Sequence, residues 1–141
     1  MYGENGGGEE GVSRLFTVEE RRTLLEEELS RIVTLLIEKY QPEKIVLFGS
    51  LARGHVHEWS DIDLLIIKET EKRPIERILE VVRLVRPRVG IDLFVYSPSE
   101  IETMLEEKIS FVHDIMKTGK ILYEKGNPGM VEHRRRGTPI R

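Results

Sequence analysis

Apolar positions along this chain follow two rhythms, a recurrence near every 3.6 residues and short unbroken runs, and the switch between them lays out the elements. Leu25, Leu29, Ile32 and Leu36 recur at helical spacing, with Val33, Ile37 and Tyr40 alongside, which predicts a helix from Thr17 to about Tyr40. Thr17 and Glu20 form a capping-box pattern at its start, and Pro42 closes it. Ile45 to Phe48 is an apolar, β-prone run, broken by Gly49-Ser50; a short helix, a loop and a second strand, Asp61 to Ile67, follow. Lys68 to Arg73 is polar. Pro74 suits the first turn of a helix whose apolar face is Ile75, Ile78, Leu79 and Val82, and Pro87 ends it. A third strand spans Ile91 to Tyr96, with Asp92, Phe94 and Tyr96 on one face and Ile91, Leu93 and Val95 on the other. Pro98-Ser99 opens a helix through Leu105. Ser110 is the expected N-cap of a last helix, Phe111 to Thr118, stopped by Gly119, and Ile121 to Tyr123 adds a short strand.

Strands alternating with helices imply an α/β or α+β fold, a small mixed β-sheet with helices packed on one face; spacing alone leaves strand order open. The 141 residues, 39% hydrophobic, suffice for one domain with a modest core. Glycine and glutamate dominate the beginning, so residues 1–16 are expected to be a flexible segment, 17–124 the folded domain and 125–141 a basic tail. Net charge is −3, but residues 131–141 hold four Arg and one Glu, so the remainder carries −6. An acidic body is a poor general nucleic-acid binder, and Arg134, Arg135 and Arg136 are expected to be a solvated run ahead of a partner contact or an RNA-binding arm. No apolar run approaches the length of a membrane span, and the glycine-rich start is unlike a secretory signal, so a cytoplasmic location is expected. Cysteine is absent, which excludes disulfides and thiolate metal sites.

Chemistry concentrates between Ile45 and Ile67. Asp61 and Asp63 project from the same face at the head of an otherwise apolar strand, where they repel each other and lose hydration; a cation between them is the natural remedy. Gly49 permits a sharp turn and close approach to the main chain. His55 and His57 lie in a polar loop without further nearby His or Cys, which suits solvated side chains rather than metal ligands. Trp59 could stack on a base or a partner, and loop packing serves as well.

The order Gly49-Ser50, Ala52-Arg53-Gly54, then Ser60-Asp61, Asp63-Leu64 resembles the signature of the DNA polymerase β-like nucleotidyltransferase superfamily, over roughly Thr17 to Glu124. The small size and the closing Gly119 to Glu124 segment make the chain most similar to the minimal nucleotidyltransferases, many of which are antitoxin halves of pairs with HEPN-type proteins. The resemblance implies a nucleotidyltransferase fold and a third carboxylate, a place Asp92 is positioned to fill. It implies Asp61, Asp63 and Asp92 as catalytic residues holding two Mg²⁺ ions, with Asp92 on the acceptor side. Hard carboxylate and phosphate oxygens suit that ion. It assigns nucleotide binding to Gly49, Ser50, Arg53 and Ser60. Ser60 serves equally to orient the strand start, and Arg53 to pair with Asp61 or Glu58.

The implied reaction moves AMP from ATP to a hydroxyl, a tyrosine of a HEPN-type toxin in the antitoxin families, silencing its RNase activity. A non-catalytic antitoxin that neutralises by complex formation, or transfer to a small molecule, are the alternatives. The chain has little beyond a catalytic platform, so a second wall is expected from a partner or from self-association.

Overall fold

The structure, a computed structural model, describes residues 17–127. The expected flexible start, and the basic tail beyond residue 127, lie outside the described residues. Helix α1, Val18–Leu35, continues as a π-helical turn, Leu36–Tyr40; then come β1, Lys44–Phe48; α2, Gly49–Arg53; β2, Ile62–Ile67; α3, Pro74–Val85; β3, Ile91–Tyr96; α4, Pro98–Glu106; α5, Ser110–Thr118; and β4, Lys120–Glu124. The four strands form one mixed sheet in the order β3-β2-β1-β4. β1 runs antiparallel to β2 and to β4, whereas β2 and β3 are parallel. The α/β class and mixed sheet expected from the pattern are therefore present.

The helices occupy both faces of the sheet rather than the single face expected. Ile45, Leu47, Ile62, Leu64, Ile66, Leu93 and Val95 pack with Leu25, Ile32 and Leu36 of α1 and its π turn and with Val81 and Val85 of α3. On the opposite face Val46, Leu65 and Ile67 pack with Ile101 of α4 and Val112 and Ile115 of α5. β2 is apolar on both sides beyond its first residues, so each side requires a cover.

Local rules account for most element ends. The Thr17–Glu20 capping box forms, with Thr17 Oγ1 accepting from Glu20 N–H at 3.0 Å and Glu20 accepting from Thr17 N–H at 2.8 Å. α4 begins at Pro98 as expected, on a capping box of Ser97 with Glu100. α5 takes Ile109, not Ser110, as its N-cap, and no side chain caps it.

α3 is rotated relative to the expected apolar face: Ile75 is 55% exposed and Leu79 41%, while Arg77 is buried with Val81 and Val85. The Arg77 guanidinium is satisfied there, donating to Lys72 O at 2.7 Å, to Val95 O at 3.0 Å and to the Glu100 carboxylate at 2.7 and 3.1 Å. On α1, buried Glu28 accepts from Arg31 and from the backbone N–H of Arg88 at 2.7 Å, and Arg31 also donates to Arg86 O at 3.1 Å. α1 thereby holds the connection into β3.

Candidate active site

The parallel register of β2 and β3 sets Asp63 directly beside Asp92, and the antiparallel register of β1 and β2 sets Phe48 on the other side of Asp63. All three project from the face covered farther along by α4 and α5. The Asp63 carboxyl is pushed up to about 6, first by burial, then by a hydrogen bond with Asp92 and by the negative charges of Asp92 and Asp61; Arg53 pulls it partly back. Asp63 therefore keeps its proton to a higher pH than an isolated aspartate does, up to about 6, beside the Asp92 charge.

Gly49 makes that arrangement possible. Its φ is +77°, and a Cβ there would overlap the Asp63 carboxylate. The strand thus turns into α2 by passing its main chain directly under Asp63. A second bare backbone serves Asp61: a Cβ on Gly90 would lie 2.5 Å from Asp61 Oδ1.

Ser60 is buried, and its Oγ accepts from the Ser50 hydroxyl at 2.9 Å and from His57 N–H at 2.9 Å. The Ser50 and Ser60 hydroxyls are thus engaged with each other, tying the turn after β1 to the start of β2. Arg53 is exposed at the end of α2, and its charge reaches Asp63. The ion pair of Asp61 is with Arg21 of α1, at 3.7 Å, rather than with Arg53. Arg21 also donates to Ser60 O from Nη2 at 2.8 Å and from Nε at 3.2 Å. Nothing in the sequence marked Arg21: it lies 39 residues from Ser60 on a helix read only for its apolar stripe.

His55 and His57 are exposed, with the His57 ring bonded to Trp59 N–H at 3.2 Å, and Trp59 is 80% exposed. Beyond the aspartates the same face carries aromatic rings. Phe94 packs on Phe111 at 5.0 Å between centroids and on Phe48 at 6.1 Å.

Among the described residues no three His, Cys, Asp or Glu side chains already close around a common point. The donors present nevertheless fit a hard divalent ion: only carboxylate oxygens, two of them at paired positions on adjacent strands, where a cation would relieve their repulsion. Mg²⁺ in particular takes one or two carboxylates and fills its shell with water and phosphate oxygens, so a complete protein cage is not its requirement.

In this mixed sheet adjacent strands β2 and β3 present Asp63 and Asp92 side by side beside a glycine turn, with Asp61 just ahead of β2. The chain belongs to the polymerase β-type nucleotidyltransferase family, whose model matches residues 30–127, and within it to the minimal nucleotidyltransferases. A Methanocaldococcus jannaschii protein named putative protein adenylyltransferase MJ0604 is 30% identical over 102 residues, covering 70% of this chain and 97% of that one. A second from the same organism, putative protein adenylyltransferase MJ1305, is 34% identical over 87 residues, which span 59% of each chain. The fold is shared with the crystal structure of a putative nucleotidyltransferase from Sulfolobus solfataricus at a TM-score of 0.56, with 21% identity over 77% of this chain and 87% of that one. Among the described residues no helix is long and apolar enough to cross a membrane.

Proposed function

We propose that this nucleotidyltransferase is a Mg²⁺-dependent protein adenylyltransferase, moving AMP from ATP to a hydroxyl, a tyrosine on a HEPN-type partner, and thereby acting as an antitoxin. The observation that carries the reading is the side-by-side placement of Asp63 and Asp92 on adjacent strands, against the glycine turn and with Asp61 just ahead of β2. Such a pair is electrostatically unfavourable for folding and becomes favourable only when a cation joins it. The names of the two archaeal relatives support a protein acceptor.

In the reaction the acceptor oxygen forms a bond to the α-phosphorus of ATP, the bond to the β-phosphate bridging oxygen breaks, and pyrophosphate leaves. Divalent ions supply the charge that stabilises the leaving group and lowers the pKa of the attacking hydroxyl. Asp61, Asp63 and Asp92 hold them, and Asp92 takes the acceptor proton. Main-chain N–H groups of the Gly49-Ser50 turn take the phosphates, while the bare Cα of residue 49 leaves room for the Asp63 carboxylate beside them. Arg53 offsets triphosphate charge from the rim, and Ser60 holds Ser50 in place.

The test is to incubate the protein with α-labelled ATP, Mg²⁺ and a HEPN-type protein encoded beside it. Label on a partner tyrosine, lost in Asp61→Asn and Asp63→Asn, is the expected result. Neutralisation of the partner surviving in full in both variants would instead establish neutralisation by covering alone.

A further inference from the structure

We infer that Arg21 is a positioning residue for the metal-binding carboxylates, acting from helix α1 through Ser60 and Asp61. This rests on the metal site proposed above.

The start of β2 has few reasons to hold one conformation. It follows an exposed loop, and the Asp61 side chain is 46% exposed and is repelled by the charge of Asp63. Repulsion alone would swing Asp61 outward into water. Arg21 opposes that at two atoms. Its Nη2 and Nε both donate to Ser60 O, fixing the peptide that leads into Asp61, and its charge stands 3.7 Å from Asp61 Oδ1. A guanidinium suits the task because its planar fork can bond the carbonyl while facing the carboxylate, and Arg21 itself is only 19% exposed.

The other side of Asp61 is set from the same helix. Asp61 Oδ1 lies against the bare Cα of Gly90, and Gly90 O accepts from Ile62 N–H at 3.1 Å. The loop carrying Gly90 is pinned to α1 by Glu28, which accepts from Arg88 N–H, and by Arg31, which donates to Arg86 O. Arg21 and Glu28 are seven residues apart, two helical turns, and so share one face of α1. That face grips both walls of the Asp61 position. The Ser60 hydroxyl carries the grip onward to Ser50, so the glycine turn and the carboxylates are held in one frame.

The alternative role for a cation at this place is a competitor that Mg²⁺ must displace, and the two roles predict opposite signs. Mg²⁺ binding to the full chain would be measured by titration calorimetry for the unsubstituted protein, Arg21→Gln and Arg21→Lys. AMP transfer would be measured alongside, with the Mg²⁺ dependence of rate separated from its plateau. Positioning predicts that Arg21→Gln weakens Mg²⁺ binding about tenfold, in the range of outer-shell partners of metal sites. Arg21→Lys should recover part of the loss, and half-saturation of transfer should move to higher Mg²⁺.

Equal or tighter Mg²⁺ binding by Arg21→Gln overturns the inference. Failure of the unsubstituted chain to bind Mg²⁺ overturns the metal site itself and this inference with it. If Arg21→Gln does not fold, as judged by its melting transition, Gly90→Ala decides by the same titration: it displaces Asp61 from the opposite wall, and unchanged Mg²⁺ affinity there rejects the positioned carboxylate.

Discussion

Asp63 is the residue at which function opposes stability. In the unfolded chain its carboxyl has the ordinary value of 3.8, whereas in the fold it is raised to about 6, chiefly by burial and by Asp92. The folded state therefore binds more protons between those values, and its stability falls as pH rises through the window from 3.8 to about 6. Asp63→Asn removes the penalty. Without metal the variant should melt higher than the parent at pH 7.5, by on the order of 1 kcal/mol once solvent screening is allowed for, and the gain should shrink as pH approaches 4. The same variant should lose AMP transfer by about 10²–10³-fold or more. A variant no more stable than the parent at pH 7.5 would show that the pair is not strained. Gly49→Ala should harm both properties. The left-handed backbone costs about 1–2 kcal/mol with a side chain attached. The new methyl also displaces Asp63. Chemical denaturation and a transfer assay on purified protein check both parts.

At the scale of elements, the join between α3, β3 and α4 rests on one buried charge. Arg77 is 4% exposed, and its carboxylate partner Glu100 also closes the capping box of α4. Glu100→Ala leaves the guanidinium buried with only carbonyl oxygens and takes the acceptor from Ser97 N–H, so denaturant melts should show a loss of about 3 kcal/mol or more. Arg77 holds the Glu100 carboxyl below its usual value, as Arg31 does for Glu28. These two groups contribute stability above the unfolded carboxylate pKa of 4.5 and lose it as pH falls through their lowered folded values. Acid unfolding of Glu100→Gln should accordingly be less steep below pH 4.5 than that of the parent.

Periodicity could place α3 but not rotate it correctly, because it scores Arg77 as solvent-facing. The partners that make its burial tolerable, Glu100 and Val95 O, come from later segments. The cover on the second sheet face was legible in part, since Leu65 and Ile67 lie on the side of Asp63 and are as apolar as Leu64 and Ile66 on the other. Alternation put Asp63 on the face of Leu65 and Ile67, but the strand expected from Asp61 begins at Ile62, so Asp61 stands just ahead of it and pairs with Arg21 of α1. The junction of Asp63 with Asp92 depends on parallel pairing of β2 with β3, which no local pattern specifies.

Among the described residues, helices cover both faces of the central strands, and at the end where the aspartates emerge Asp92 is exposed and Asp63 half-buried. α4 and α5 pack on Leu65, Ile67 and Val46 and leave Asp63 and Asp92 beside Phe48 and Phe94 at the rim. A ligand arriving at that end meets the folded chain only, since unfolding scatters β2 and β3. Binding must then stabilise the fold by mass action, by about 2.7 kcal/mol at a hundredfold excess over Kd. For a domain of this size the melting temperature should rise by on the order of 10 °C. Near and below about 6 the ion has to compete with the proton on Asp63, so the rise should be large at pH 7.5 and fade as pH drops through about 6, while proton binding by ATP itself can be measured separately. Asp63→Asn and Asp92→Asn should show little rise at either pH. A Mg²⁺-ATP shift of equal size at pH 5.5 and 7.5, or one undiminished in both variants, would place the nucleotide elsewhere on the molecule. A shift that follows the predicted pH course would tie binding to the Asp63 carboxyl that strains the free protein, because that group must lose its proton to take the ion.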